Sequence, residues 1–292
     1  MIRGTTRVCG VWGWPVKHSA SPAMHNAAYK ALGLDLVYVP FAVAPDALPA
    51  AVAGVRALGL LGVNVTVPLK ELVPPLLDRL TDRAARLGAV NTLFWDGDQL
   101  CGDSTDGPGF LAALAHAGAT LTPGREAIVL GAGGSARAVV DALVQSGLRV
   151  TVANRTVARA EEVASRFGAH AALPLTEDAL REPLSRAQLL VNTTSIGMHP
   201  NESDCPPIPT DSLHPALFVS DLIYNPAQTR LLALAQACGC RTQNGVEMLV
   251  RQGALAFTRW TGREAALDEM RLAVQQNLVK TDTIITPHDK PE

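Results

Sequence analysis

The string Gly131-Ala132-Gly133-Gly134-Ser135-Ala136, set between an apolar run over 127–130 and a helical pattern over 135–145, constrains the fold of this chain more than any other feature. A strand that stops at a Gly-x-Gly-x-x-Ala turn and re-enters as a helix opens a βαβ unit able to bind a dinucleotide. Gly131 permits the tight turn, Gly133 lets the backbone approach a pyrophosphate, and Ala136 lets the helix pack closely. Free N–H groups at the helix start then face the anion. A glycine turn without a ligand is the plainer alternative. The alternation continues, with strands predicted over 149–153, 188–192 and 217–221 and helices over 157–167 and 229–237. Such a succession builds a doubly wound parallel sheet.

At the end of the second strand of such a unit, an NAD site usually carries an acidic residue for the ribose 2′-hydroxyl. This chain instead reads Asn154-Arg155-Thr156, followed by Arg159. A guanidinium and a hydroxyl suit a 2′-phosphate, which favours NADP over NAD. Arg155 also reads as a surface residue at a helix start.

The preceding half has its own α/β pattern, and a length of 292 residues makes two domains the default. Strands are predicted over 8–13, 36–41, 62–67 and 90–95, and helices over 22–32, 47–58, 71–80 and 82–87. Residues 102–109 are dense in turn formers and read as the boundary loop between the two halves. After Asn244-Gly245 a long helix over 246–260 carries Leu249, Leu255, Ala256 and Trp260, a pattern that leaves open which domain it packs on. The tail from Lys280, with Pro287 and Pro291, reads as frayed.

The segment Asn64-Val65-Thr66-Val67-Pro68-Leu69-Lys70 delivers an ammonium group to the end of a strand. Period-two alternation puts Val63, Val65 and Val67 on a core face and Asn64 and Thr66 on the other. Pro68 cannot donate to a ladder, so the strand should end there and present Lys70 at the sheet edge where ligands bind. At the same edge, Ser19 and Ser21 flank a helix start, with Pro22 at its first position and Gly33 past its end. Ser21 reads as the cap, and two hydroxyls at a helix N-terminus can bind a small carboxylate. His18 beside them reads as a titrating group or a hydrogen-bonded structural one. Asn91 leaves another turn with an amide that both donates and accepts, and Asp106 lies in the boundary loop.

Composition excludes several classes. A net charge of −2 offers no broad nucleic-acid footprint. Prolines and charges break the apolar stretch 36–69, which leaves no membrane span, and the N-terminus lacks the apolar core of a signal peptide. A cytoplasmic address is the default. Five cysteines, without a CxxC pair, indicate neither a disulfide framework nor a metal site, and Cys238 and Cys240 read as small core fillers.

In order, these blocks resemble the shikimate dehydrogenase family. They are Gly13-x-Pro15 with His18-Ser19-x-Ser21-Pro22-x-x-His25-Asn26, then 64–70, Gly88-Ala89-Val90-Asn91-Thr92, Gly102-Asp103-x-Thr105-Asp106-Gly107 and the Gly131 turn. Asn154-Arg155-Thr156, Asn192-Thr193-Thr194-Ser195-x-Gly197-Met198, Asp221-x-x-Tyr224-Asn225-Pro226 and Asn244-Gly245-x-x-Met248-x-x-x-Gln252 complete the series. Trp14 and Ala20 depart from the residues usual in the family.

The resemblance implies an α/β substrate-binding catalytic domain from 1–106 and 245–292, with an inserted Rossmann-type NADP-binding domain over 107–244. It implies reversible reduction of 3-dehydroshikimate to shikimate, a step toward aromatic amino acids, in a monomer or homodimer that binds no nucleic acid, membrane or metal. Lys70 and Asp106 are the implied catalytic pair. Ser19 and Ser21 are implied to hold the substrate carboxylate, and Thr66, Asn91, Asp106, Tyr224 and Gln252 to contact its carboxylate or hydroxyls. Asp82, Leu222 and Gly245 are implied to lie near the nicotinamide. A quinate/shikimate dehydrogenase with relaxed cofactor use, an aminoshikimate-type paralogue and a non-catalytic NADP sensor are the alternatives.

Overall fold

A computed structural model describes residues 2–283, organised on two six-stranded sheets. The first part of the chain runs β1 (Arg7–Gly13), α1 (Ser21–Ala31), β2 (Leu36–Ala42), α2 (Leu48–Ala57), β3 (Gly62–Val65), β4 (Arg79–Leu80), α3 (Asp82–Leu87), β5 (Thr92–Asp96) and β6 (Gln99–Asp103). Its strand order is β2-β1-β3-β5-β6-β4. β1 pairs parallel with β2 and β3, whereas β5 runs antiparallel to β3 and β6.

Helix α4 (Asp106–His116) leads into β7 (Glu126–Leu130), α5 (Gly134–Gln145), β8 (Arg149–Asn154), α6 (Val157–Phe167), β9 (Ala171–Pro174), α7 (Glu177–Arg186) and β10 (Leu189–Asn192). Then come β11 (Phe218–Asp221), α8 (Arg230–Ala237) and β12 (Arg241–Gln243), and the described chain closes with α9 (Val246–Thr261) and α10 (Leu267–Thr283). The second sheet has the order β12-β11-β10-β7-β8-β9 with every pairing parallel. Its order reverses between β7 and β10, so the Gly131 turn at the end of β7 opens onto the switch point where such sheets bind ligands. Strands β7, β8 and β10 are buried because helices cover both faces.

The question left open by the pattern of the long helix is answered by packing. Helix α9 lies against α4, α1, α10 and β5, and α10 lies along α1. Val250, Phe257, Met270 and Val274 are fully buried with Met24 and Tyr29 of α1. Trp260 crosses β3 at Gly62, where a Cβ would come 2.0 Å from its Nε1, and that Nε1 donates to the Leu93 carbonyl at 2.9 Å.

The structure corrects four expectations. No helix spans 71–80: Leu69–Glu71 and Pro74–Leu76 each form one 3-10 turn, because Pro74 and Pro75 remove N–H donors and clash with preceding carbonyls. Strand β3 ends at Val65, so Val67 is 67% exposed instead of facing the core. Residues 102–109 are no loop, since β6 runs to Asp103 and α4 starts at Asp106; Pro108 sits in the first helical turn, where no N–H is required. The predicted fraying from Lys280 gives way to α10, which continues to Thr283, and the rest of that tail lies outside the described residues. No described helix is long and apolar enough to cross a membrane.

Candidate active site

The C-terminal ends of β1 and β3 and the N-termini of α1, α4 and α9 converge on a cavity of about 290 Å³. Ser19 and Ser21 line one side, and Thr66 and Lys70 line another. Asn91, Asp106, Tyr224 and Gln252 complete the set expected to meet a substrate. Residues 161 positions apart meet here: Asn91 Nδ2 lies 3.2 Å from Gln252 Oε1.

Ser21 does not cap α1. Ala20 occupies the cap position in a helical conformation, and Ser19 Oγ accepts a long 3.3 Å bond from the Ser21 N–H. Ser21 is therefore the first helical residue, buried against the cavity, and Ser19 does the satisfying of an orphan donor that capping assigned to Ser21.

Lys70 Nζ donates to Asp106 Oδ2 at 2.7 Å, with the two side chains 13% and 7% exposed. The other carboxylate oxygen accepts from Asn91 Nδ2 at 2.7 Å. Asn91 is held in turn, since its Oδ1 accepts from the Thr105 N–H and from Thr92 Oγ1, both at 2.8 Å. Asn64 Nδ2 donates to the Asn91 carbonyl at 3.2 Å, and its Oδ1 accepts from the Tyr38 hydroxyl at 2.8 Å. The lysine backbone is fixed as well, because the Val90 N–H donates to the Lys70 carbonyl at 2.8 Å. One proton of the ammonium is engaged by Asp106, and an ammonium carries three donors, so the group can hold its carboxylate and a ligand oxygen together.

Burial raises the Tyr224 hydroxyl above its usual value, with the Ala20 backbone opposing, so it stays a neutral donor and acceptor. Sequence reading missed Met248 and Leu249 as cavity walls. Their signal was available: with Gln252 they fall at i, i+1 and i+4 and share one face of α9. Asn64, placed on the ligand-facing side of its strand, and His18 also line the cavity.

The residues expected to meet a nucleotide fall in two groups. Ser135, Leu222 and Gly245 line the same cavity as Lys70, joining the two halves. Gly131 has φ +108° and its N–H donates to the Ala153 carbonyl at 2.8 Å, a conformation that favours glycine. Gly133 precedes α5, and a Cβ there would meet nothing within 4 Å, which leaves the backbone of Ala132, Gly133 and Gly134 room for an anion at the helix start. Gly245 is pressed so closely on Leu222 that a Cβ would lie 2.0 Å from its carbonyl oxygen.

Farther out, β8 ends at Asn154, whose Nδ2 donates to the Thr156 carbonyl at 2.9 Å. Arg155 and Arg159 are exposed, and their guanidinium groups make no hydrogen bond or ion pair among the described residues. Two unpaired cations beside an exposed Thr156 fit a phosphate on the ribose. Asp82 is exposed in the first turn of α3 and does not line the cavity.

Family models match three stretches of the chain. The shikimate dehydrogenase substrate binding domain covers 11–93, Shikimate / quinate 5-dehydrogenase covers 113–200, and the shikimate 5′-dehydrogenase C-terminal domain covers 245–275. A shikimate dehydrogenase (NADP(+)) of Geobacter metallireducens is 47% identical over 94% of this chain and 97% of its own length. The crystal structure of shikimate 5-dehydrogenase from Thermus thermophilus in complex with NADP(H) and shikimate superposes with a TM-score of 0.85 and 43% identity, covering 93% of this chain and 100% of that one. A quinate dehydrogenase from Corynebacterium glutamicum in complex with NAD gives a TM-score of 0.84 at 30% identity, over 93% of this chain and 99% of that one.

Proposed function

The chain belongs to the shikimate dehydrogenase family, and from that membership we propose that Lys70 and Asp106 form its catalytic pair. The enzyme is an NADP-dependent oxidoreductase that interconverts 3-dehydroshikimate and shikimate. What supports the site reading above all is the 2.7 Å contact of Lys70 with Asp106 inside a cavity walled by hydroxyls and amides.

Bound NADPH supplies the hydride for ketone reduction. The protein's own task is to meet the charge that then grows on the ketone oxygen. The Lys70 ammonium faces that oxygen, stabilises the negative charge and donates a proton to it. In the reverse direction the neutral amine takes the hydroxyl proton. Asp106 orients the lysine through one oxygen while Asn91 fixes the other, so the carboxylate cannot rotate away. Ser19 and Ser21, at the start of α1, hold the substrate carboxylate with neutral donors and the helix dipole. Thr66, Tyr224 and Gln252 read its hydroxyls.

The turn from Gly131 to Ser135 holds the pyrophosphate, and Asn154, Arg155, Thr156 and Arg159 surround the 2′-phosphate. Asp82, Leu222 and Gly245 lie toward the nicotinamide end. The working units are 1–106 with 245–292 and the inserted 107–244, and closure between them turns on the crossings near Asp106-Gly107 and Asn244-Gly245. A cytoplasmic monomer or homodimer completes the proposal.

Lys70→Ala should cut turnover on the order of 10²–10⁴-fold with a folded protein and unchanged NADPH affinity. Near-normal turnover in that variant would end the assignment. A four-way steady-state assay, shikimate and quinate each with NADP and NAD, separates the shikimate reading from a quinate/shikimate enzyme with relaxed cofactor use. The unpaired Arg155 and Arg159 predict preference for NADP.

A further inference from the structure

Arg137, in the first turns of α5, reaches across the cleft to the residue that follows Lys70. Its Nη2 lies 3.3 Å from Glu71 Oε2 and 3.3 Å from Glu162 Oε1, and its side chain is 14% exposed. Glu71 and Lys70 share the single 3-10 turn Leu69–Glu71. The glycine turn passes beside the same spot: a Cβ on Gly134 would make ordinary van der Waals contact, 3.7 Å from Glu71 Oε1 and 3.8 Å from Lys70 Cδ.

A cation near a helix N-terminus opposes the helix dipole, so the placement of Arg137 is unfavourable unless anions compensate. Glu162 on α6 and Glu71 on the facing unit supply them. Helix α5 therefore grips the lysine-bearing turn through one guanidinium. On its far side that turn is held by the Val90 N–H and by the Lys70 bond to Asp106.

We propose that Arg137 is a positioning residue that sets the register between the helix carrying the pyrophosphate turn and the turn carrying Lys70, acting through Glu71. The proposal rests on the reading of Lys70 as proton donor. A proton donor and a hydride source reside on different units, and misplacement by a fraction of an ångström between them costs rate even when both ligands stay bound. Because Glu71 and Glu162 are 42% and 59% exposed, the ion pair adds little to global stability. Its effect is on alignment.

The Nε proton of Arg137 is buried without a partner, so a cofactor phosphate is the competing target for this guanidinium. The two roles separate in a double-mutant cycle of Glu71→Gln and Arg137→Gln, with Arg137→Lys retaining the charge. Positioning through Glu71 predicts that each Gln variant lowers kcat by roughly three- to tenfold. It also predicts a double variant no worse than the poorer single one, a Tm close to that of the parent and an NADPH Kd, by fluorescence titration, within about twofold. Amide exchange over 69–73 should accelerate by roughly the same three- to tenfold factor in both, and Arg137→Lys should recover part of each effect.

A raised Kd with kcat retained in Arg137→Gln, and a silent Glu71→Gln, overturns the proposal in favour of phosphate binding. Additive losses overturn it too, since the residues then act separately. If Arg137→Gln does not fold, Glu71→Gln and Arg137→Lys carry the test. Normal turnover in Lys70→Ala would remove the catalytic reading while leaving the exchange and binding measurements to report on the ion pair.

Discussion

Two buried titratable residues pull the acid stability of this protein in opposite directions. His25 is fully enclosed, stacked on Tyr38 with ring centroids 4.3 Å apart, and neither of its nitrogens has a partner. Burial pushes it down from 6.5 to about 3. Between those values the unfolded chain takes a proton that the folded one refuses, so this contribution is complete above 6.5 and is lost as pH falls toward 3. Asp221 behaves oppositely: burial raises it from 3.8 to about 6 against the bonds from Ile223, Thr229 and Asn192. Its contribution is present below 3.8 and lost as pH rises through 6. Between pH 4 and 6 the two slopes, each at most about 1.4 kcal/mol per pH unit, largely cancel. His25→Phe should remove one of them, so the variant gains on the parent as the pH of a thermal melt drops from 6 to 4. Parallel stability curves would contradict this account. On the cofactor side, Arg155→Ala should raise the KM for NADPH much more than that for NADH, and equal effects would sink the 2′-phosphate assignment. The placement of Lys70 beyond a strand end was legible because Pro68 carries it in the local sequence, whereas its pairing with Asp106, at the start of α4, came from the family resemblance. The isolation of His25 was not, because it depends on α9 and β2 closing over it.

At the level of elements, close helix crossings transmit packing to the cavity. Gly109 of α4 meets α9 where a Cβ would fall 2.7 Å from the Gln252 backbone nitrogen. Gly109→Ala must therefore push α9 outward, with an expected loss of about 1–3 kcal/mol in a denaturant titration. Because Gln252 moves with the helix, the KM for shikimate should rise as well, and a silent variant would mean that the crossing relaxes elsewhere. Most of the parallel sheet could be read from the chain, since buried strands alternating with amphipathic helices leave a strong local imprint. The first sheet was harder. Pro74 and Pro75 break a helical period that otherwise looked continuous, and Asp96-Gly97 is a hairpin signal whose partner strand β6 ends in what composition alone takes for a loop. Helix α10 lacks a pronounced apolar stripe, and it is held by its packing on α1.

Across the whole molecule, α3 supplies one polar link between the proposed units. Arg86 makes a bidentate pair with Asp141 of α5 at 2.8 Å for each bond, and Arg166 of α6 donates to the Arg86 carbonyl at 3.0 Å. Asp141 is only 4% exposed, so Arg86→Ala strands a buried carboxylate. The expected cost is roughly 1–3 kcal/mol, read as a lowered Tm with kcat little changed, because the pair lies away from the cavity. A proportional loss of kcat would instead tie this handhold to catalysis. Further consequences follow from the point at which the chain passes between its two sheets. Asp106 is the first residue of α4, and Gly245 immediately precedes α9, so both occupy crossings of the polypeptide. When one body rotates against another, points on the axis barely translate and distant points sweep an arc. Under the closure proposed above, Asp106 lies near the axis and serves as the fixed origin of the site, the group against which Lys70 is aimed as the units open. On that proposal the jaws open for product release without disarming the carboxylate that aims the proton.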